Sequence, residues 1–479
     1  MKTVYHCLVI SLLVFTAYSC NKQLDALPKN AKVDANTIID AGTAQIALNG
    51  AYYNFANATL TKTGWQMHQI IPAELAGYMG YGNGGFGAAY ENKNTSVGAN
   101  YWNESYVLLN AANGVIKGVT ALADNQFPGN RKKEIIAEAR FLRAYGHFRL
   151  LTFYAEWYKN DSPNGVLIRD ELSELGNISK ARSSVKESYD FILADLDDAI
   201  ANGPATNPNV YATKWAAMAL KMRVLISRGA AADYPAIIQL ADNIIQQSPF
   251  VLEDNAIDLF HKNGLNSKEV MLAVKPQAAQ ELDAYSKSRQ YWPGASSLYV
   301  APLSLKNLLN NDPRQTWMIG TQKGTGVVES YFFTKYIAQN TIPTVVSETD
   351  YAIRLSEVYL LKAEAIVRSG GDPAAAKAIV HQIQAKAGIT STENNIPYLE
   401  VENATGANNL LMAIYKETVK TLVAEDGMEW LALLRLPYAT VQQLKPTIIS
   451  QTLYILPVPA DEFRYNPSFG NQNPGYEKF

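Results

Sequence analysis

Residues 354–388, RLSEVYLLKAEAIVRSGGDPAAAKAIVHQIQAKAG, constrain the fold of this chain more than any other stretch. Leu355, Val358, Tyr359, Leu361, Ala365 and Ile366 recur at helical spacing in the first half, and Ala376, Ile379, Val380 and Ile383 do so in the second. Between them Gly370 and Gly371 supply a left-handed stop, Asp372 a cap for the next helix, and Pro373 a residue suited to a first turn, where no N–H is needed. The spacing predicts two helices facing each other. Ala363, Ala365, Ala374, Ala375, Ala376 and Ala378 leave room for their backbones to approach, as stacked helix pairs require.

Residues 213–247 repeat this grammar, and each unit is about 35 residues, near the ~34-residue period of tetratricopeptide pairs. Neither unit carries the full consensus, so the expectation is a mostly α, TPR-like scaffold of helical pairs. Further helices are expected over 43–53, 101–119, 131–157 and 184–201. The 131–157 helix has apolar residues on two faces and is predicted to be central, which makes His147, Arg140, Arg143 and Arg149 packing and ion-pair residues rather than catalysts.

Hydrophobic residues make up 48% of the chain and aromatics 10%, a globular composition long enough for a large core. Lys and Arg total 42 against 44 Asp and Glu, so no net field draws in a nucleic acid or other polyanion. The 28 tyrosines and 7 tryptophans point instead to rings on which uncharged ligands stack. At the N-terminus Lys2 precedes the apolar run 8–17, too short to span a bilayer, so 1–19 read as a signal peptide. Ala17 and Ser19 place small residues three and one before Cys20, a bacterial lipobox spacing. Cys7 lies inside the signal and is the only other cysteine, so Cys20 has no disulfide partner in the mature chain and is the expected lipidation site. Residues 20–42 then form a lipidated, polar tether, and 43–479 a single domain.

Two regions break the helical rhythm. Residues 77–98 are glycine-rich and carry Tyr78, Tyr81, Phe86 and Tyr90; the GxGxxG match at 82–87 lacks the flanking strand and helix of a dinucleotide site. Its rings either face a ligand or fold onto the core. Glu74 follows Pro72 in an expected turn and is either a ligand contact or a helix-start charge, the second being the favoured reading. Residues 250–350 are a variable, loop-rich stretch with strand-like runs at 269–275 and 327–336 and isolated rings at Tyr285, Tyr291, Trp292 and Trp317. Trp317, beside Met318 and Ile319, has a core-filling reading too; Trp292, before a Pro-Gly turn, is the better ligand candidate. The candidate ligand-binding set is Tyr78, Tyr81, Phe86, Tyr285, Tyr291, Trp292 and Trp317. No catalytic residue, metal site or cofactor site is expected: GxSxG and HExxH motifs are absent, and the five histidines have no metal-ligand spacing.

Several motifs in fixed order give the chain a resemblance. They are Leu48-Asn49-Gly50-Ala51-Tyr52, Ala139-Arg140-Phe141-Leu142-Arg143-Ala144, Asp312-Pro313-Arg314, Arg354-Leu355-Ser356-Glu357-Val358-Tyr359-Leu360 with Ala363-Glu364-Ala365, Leu456-Pro457-Val458-Pro459, and Asn466-Pro467 with Gln472-Asn473-Pro474-Gly475-Tyr476. With these the chain resembles the SusD/RagB family of Bacteroidetes surface lipoproteins over nearly its whole mature length. One block departs from the family: in Gly427-Met428-Glu429-Trp430-Leu431-Ala432-Leu433-Leu434-Arg435 the usual Asp is Ala432, which puts one buried polar contact in doubt. The resemblance implies a TPR-like scaffold with a loop-rich ligand face, anchored on the outer membrane and capping a SusC-like TonB-dependent transporter. It implies a protein that binds an oligosaccharide and hands it on uncut; the alternative is a peptide-binding, RagB-like lipoprotein of a peptide uptake system.

Overall fold

The computed structural model describes residues 37–478 apart from 82–86, 99, 292–297, 323–329, 338–342 and 392–394. The signal peptide, Cys20, Phe86 and Trp292 therefore lie outside the described residues.

Helix α1 (Ala41–Phe55) begins at Asp40, whose carboxylate accepts from Thr43 N at 2.7 Å while the Thr43 hydroxyl answers the Asp40 N–H at 3.0 Å. After α2 (Gln66–Leu75) come the long helices α3 (Tyr101–Ala121) and α4 (Arg131–Tyr154), then α5 (Val185–Asn202), whose Ser184–Glu187 capping box is complete. Helices α6 (Lys214–Arg228) and α7 (Asp233–Gln247) form the first predicted pair, and α8 (Leu355–Arg368) and α9 (Pro373–Lys386) the second. Gly370 takes the left-handed conformation at φ 73°, and Asp372 caps α9 through Ala374 N at 2.9 Å. Helices α10 (Gly406–Leu422) and α11 (Met428–Leu434) follow.

Packing runs in chain order, α3 on α4, α4 on α5, α5 on α6 and α6 on α7; α7 then meets α8, which packs on α9 and α10. Each helix buries a stripe against its neighbours, giving one large core and a smaller second cluster among α8, α9 and α10. Helix α4 is the exception: nearly every residue from Ala137 on is buried, as expected of a central helix. Several of its buried polar side chains are paired. Arg143 forks onto Asp195 with two 2.7 Å bonds, and His147 lies between the Arg143 carbonyl and Arg169 N, its imidazole pushed down to about 3 chiefly by burial.

The loop-rich region supplies two antiparallel sheets. Strands β1 (Gly80–Tyr81), β3 (Tyr299–Val300), β4 (Ile319–Gln322) and β5 (Ser330–Phe333) align in the order β1-β3-β5-β4; β2 (Val270–Val274) pairs with β6 (Asp350–Arg354), which runs directly into α8. The register places Tyr81 opposite Tyr299. This pairing joins the glycine-rich segment near residue 80 to the 250–350 region, more than 200 residues away in sequence.

Two expectations are corrected here. Pro72 does not mark a turn; it lies inside α2, and Glu74 occupies the last turn of that helix, not a helix start. Tyr78 is buried at 7% exposure, its hydroxyl 2.7 Å from that of Tyr415, because the chain turns inward at Gly77 (φ 84°) after α2. Among the described residues no helix is long and apolar enough to cross a membrane, and no group of His, Cys, Asp and Glu is arranged to hold a metal.

Candidate ligand-binding site

The β1–β3 pairing, residues 62–67 ahead of and into α2, and the short helix Lys287–Tyr291 enclose a cleft of about 290 Å³. That volume is at the small end of ligand pockets, roughly 300–1,000 Å³, so it accommodates part of a longer molecule. Its lining includes Lys62, Gln66, Tyr285, Ser286, Gln290 and Tyr299.

The floor is fixed by buried charge. Lys287 Nζ donates to Asp350 Oδ1 and to the Thr349 carbonyl, both at 2.7 Å, and Gln69 Nε2 donates to Asp350 Oδ1 at 2.8 Å. Glu348 accepts from Lys287 N at 2.7 Å and from Ser288 Oγ at 2.8 Å. Glu348 is thus held through both oxygens and Asp350 through Oδ1 by structural hydrogen bonds.

The rim is aromatic. Tyr285 is 65% exposed, with Lys62 Nζ 5.3 Å from its ring centroid. Tyr81 is 50% exposed and meets Tyr299 edge to face at 5.9 Å. Burial and the nearby Glu74 push the Tyr299 phenol up, so its hydroxyl stays neutral and both donates and accepts. The Ser286 hydroxyl, also in the lining, is buried without a hydrogen-bond partner among the described residues. An unsatisfied buried hydroxyl costs about 1–3 kcal/mol, a deficit that a ligand hydroxyl removes.

Of the seven sequence candidates Tyr285 lines the cleft, and Tyr81 is exposed beside the lining residue Tyr299. Tyr291 does not present its ring: it is fully buried against Tyr299, Phe333 and Tyr336, with its hydroxyl 3.4 Å from Gln69 Oε1. A ring without an exposed face cannot stack on a ligand, and the same correction applies to Tyr78. Trp317 lies apart, half-buried and stacked on Phe260 at 5.8 Å, which is the core-filling alternative. Phe86 and Trp292 lie outside the described residues. Sequence reasoning missed Lys62, Gln66, Ser286 and Tyr299. Only Tyr299 had a signal, as a tyrosine in a short strand-like run following a Pro-Gly turn.

Two larger hollows carry no aromatic ring. One, about 700 Å³, is lined by small and aliphatic residues of α1 and α3; the other, about 610 Å³, lies between residues 307–311 and 396–403. Stacking chemistry is therefore available at the smaller cleft and not at these.

Comparison with known proteins places this geometry. Residues 21–226 match a family described as SusD-like, starch-binding and associating with the outer membrane, and residues 306–427 match the SusD family. A SusD-like protein of Bacteroides ovatus is 24% identical over a match covering 57% of this chain and half of that protein. SusD-like protein P2 of Formosa agariphila is 22% identical over 97% of this chain and 98% of its own. Among solved structures, a putative sugar binding protein from Bacteroides vulgatus superposes with a TM-score of 0.74 at 20% identity, covering 92% of this chain and all of that one. A laminarin-binding SusD-like protein gives 0.70 at 20% identity, covering 91% and 99%. With the helical-pair fold, two family matches along the chain and relatives of this kind, the chain belongs to the SusD/RagB family.

Proposed function

We propose that this protein binds an oligosaccharide at the cleft between Tyr81, Tyr299 and Tyr285 and delivers it, uncut, to a SusC-like TonB-dependent transporter in the outer membrane. The observation that carries the reading is the Tyr285 ring, two-thirds exposed beside a cleft that holds the unpartnered Ser286 hydroxyl. An exposed ring and an unpaired hydroxyl are the two elements a sugar needs, one for its apolar face and one for its rim. The sugar-binding and laminarin-binding names of structural relatives support the same class of ligand. The ties of Glu348 and Asp350 to Lys287, Ser288 and Gln69 favour binding over hydrolysis, which needs one carboxyl free as acid and another as base or nucleophile.

In this reading residues 1–19 are a signal peptide, Cys20 is lipidated and residues 20–42 tether a single domain, 43–479, to the outer face of the membrane. The test is calorimetric titration of the chain lacking residues 1–20 against plant, host and microbial oligosaccharides, with acidic and basic peptides alongside. Saturable binding to one glycan class without product is expected. Tyr285→Ala should weaken it by about 1–2 kcal/mol, roughly 5- to 30-fold, at unchanged melting temperature. Binding to peptides alone would overturn the sugar reading in favour of the peptide-uptake alternative, and release of shortened sugar would overturn the non-catalytic one.

A further inference from the structure

The hollow of about 610 Å³ between residues 307–311 and 396–403 is lined for hydrogen bonding, not for stacking. Its walls come from the short helix Leu303–Leu308 and the turn after it, from the helix Ile396–Glu402 and from α10, all within the described residues. It shares no lining residue with the aromatic cleft. Four asparagines, Asn307, Asn310, Asn311 and Asn403, line it; all four are exposed, and none of their carboxamides makes a hydrogen bond among the described residues. Asn311 is held left-handed at φ 62°.

Lys420 of α10 lines the same hollow at 4% exposure, yet its ammonium makes no hydrogen bond among the described residues. Its carboxylate neighbours are Asp312 Oδ2 at 3.5 Å and Glu400 Oε2 at 3.7 Å, too long for the roughly 2.7–2.9 Å of a charge-assisted hydrogen bond. Both carboxylates are engaged elsewhere. Arg314 forks onto the two oxygens of Asp312 at 2.8 Å each, and Lys416, one turn before Lys420, takes Glu400 Oε1. The Lys420 N–H donors are thus left for a further acceptor in the hollow. An anion there would stand against Asp312 and Glu400. A hydroxyl instead accepts from the ammonium and donates its own O–H to Glu400 or to an asparagine carbonyl oxygen.

We propose that this hollow is a second sugar-binding site, which holds an uncharged sugar unit by its hydroxyls, with Lys420 as the buried donor and the asparagine carboxamides around it. Each carboxamide offers a donor and an acceptor to a vicinal hydroxyl pair. Ile396 and Leu399, 57% and 37% exposed, supply an aliphatic wall for the C–H edge of the sugar. The volume falls within the roughly 300–1,000 Å³ of ordinary ligand sites. The inference goes beyond the aromatic cleft, and either site can fail without the other.

The experiment titrates the chain lacking residues 1–20 with neutral trisaccharides (laminari-, malto-, xylo- and manno-series) and with trigalacturonate as the anionic probe. Saturation-transfer NMR follows the ligand, since a site without stacking binds weakly. The variants are Tyr285→Ala for the cleft, and Lys420→Met and the triple Asn307→Ala, Asn310→Ala, Asn403→Ala for the hollow. The three asparagines are exposed and unpartnered, so thermal melts should not move; Asn311 is kept for its left-handed backbone, and Lys420→Met leaves Asp312 with Arg314 and Glu400 with Lys416. Saturable binding of a neutral trisaccharide should persist in Tyr285→Ala and fall tenfold or more when the triple substitution or Lys420→Met is added. If Tyr285→Ala abolishes all binding, or if its remaining binding is untouched by the triple substitution, the cleft reading stands and this inference fails. Tighter binding of trigalacturonate than of every neutral probe in the Tyr285→Ala chain also overturns it. If the triple substitution abolishes wild-type binding and Tyr285→Ala changes nothing, this inference stands and the cleft reading fails; silence of the wild type toward every probe overturns both.

Discussion

Asp426 is where removal of one atom group should cost this fold most. Its Oδ1 accepts from Arg149 Nη2 and, at 2.8 Å, from the Tyr145 hydroxyl; its Oδ2 accepts from Arg223 Nη1 at 2.6 Å. All four side chains are buried. Arg223 keeps Glu357 if Asp426 is removed, but Arg149 has no other carboxylate and its Nη1 is already without a partner. Asp426→Ala therefore leaves a guanidinium buried and uncompensated, a change of about 3–5 kcal/mol. With an unfolding entropy of ~2.1 cal/mol/K per residue over about 400 folded residues, that equals a fall in melting temperature of roughly 4–6 °C.

Scanning calorimetry at pH 7 measures the shift, and equilibrium urea unfolding gives the free energy. Asp426→Asn keeps the volume and removes the charge, so it should be nearly as damaging. Adding Arg149→Met to Asp426→Ala should restore much of the loss, since the stranded charge goes with it. Although burial pushes the Asp426 carboxyl up, Arg149, His68 and Arg223 together hold it well below the ordinary range. A depressed folded pKa contributes stability at pH values above the unfolded one, near 4, and loses it as pH falls. A melting shift under 1 °C for Asp426→Ala at pH 7, or no rescue by Arg149→Met, would refute this reasoning.

Glu429 predicts the opposite pH dependence. Burial pushes its carboxyl up to about 8, its Oε1 accepts from Ala424 N at 3.1 Å, and its Oε2 has no partner among the described residues. Because the folded pKa lies above the unfolded one, its contribution is complete below about pH 4.5 and declines by up to ~1.4 kcal/mol per unit as pH rises toward 8. Glu429→Gln should flatten that slope and melt higher than wild type at pH 9; parallel melting–pH curves would show the reasoning wrong. Gly427 is left-handed at φ 78°, and a Cβ there would stand 3.0 Å from two atoms of the Pro72 ring. Gly427→Ala should destabilise by about 2 kcal/mol in urea unfolding, and a change under 0.5 kcal/mol would mean that the α2–α11 contact yields freely.

The helical pairs were legible because periodicity and punctuation agree at each of them. Asp372, Pro373 and Gly370 occupy the cap, first-turn and left-handed positions that their chemistry favours, and Thr213 caps α6. The ligand face was legible only in part, because glycine-spaced rings carry no information about which side of the chain they face. Tyr78 and Tyr81 are three residues apart; the inward turn at Gly77 buries one and the β1–β3 pairing holds the other at the rim. Ser286 and Lys62 had no signal at all, since their role comes from contacts more than 200 residues apart in sequence. Pro72 was misread because proline usually ends a helix, whereas α2 accommodates it and continues through Glu74 to Leu75. The replacement at Ala432 has a structural counterpart: Arg435 forks onto Glu364 through Nε and Nη2, while its buried Nη1 has no partner.

The packing that buries the Tyr291 ring also explains why the Tyr285 ring stays open to solvent. Lys287 is tied to Asp350 and Thr349, Ser288 to Glu348, and Tyr291 is wedged among Tyr299, Phe333 and Tyr336. The short helix Lys287–Tyr291 is thereby pinned to the β6 side of the fold. Tyr285, two residues before this anchor, has its N–H held by Asp283 Oδ1 at 2.7 Å and its carbonyl by Gln290 Nε2, so its backbone is fixed while its ring stays open to solvent. A ring presented in this way loses little conformational freedom when a ligand stacks on it, which raises affinity without adding contact area. In the proposed reading the buried charges beneath the cleft act on binding through the rigidity they give to Tyr285, and the scaffold that periodicity predicted and the loop-rich face that it did not are joined through β6, which runs from Asp350 into the first helix of the second pair.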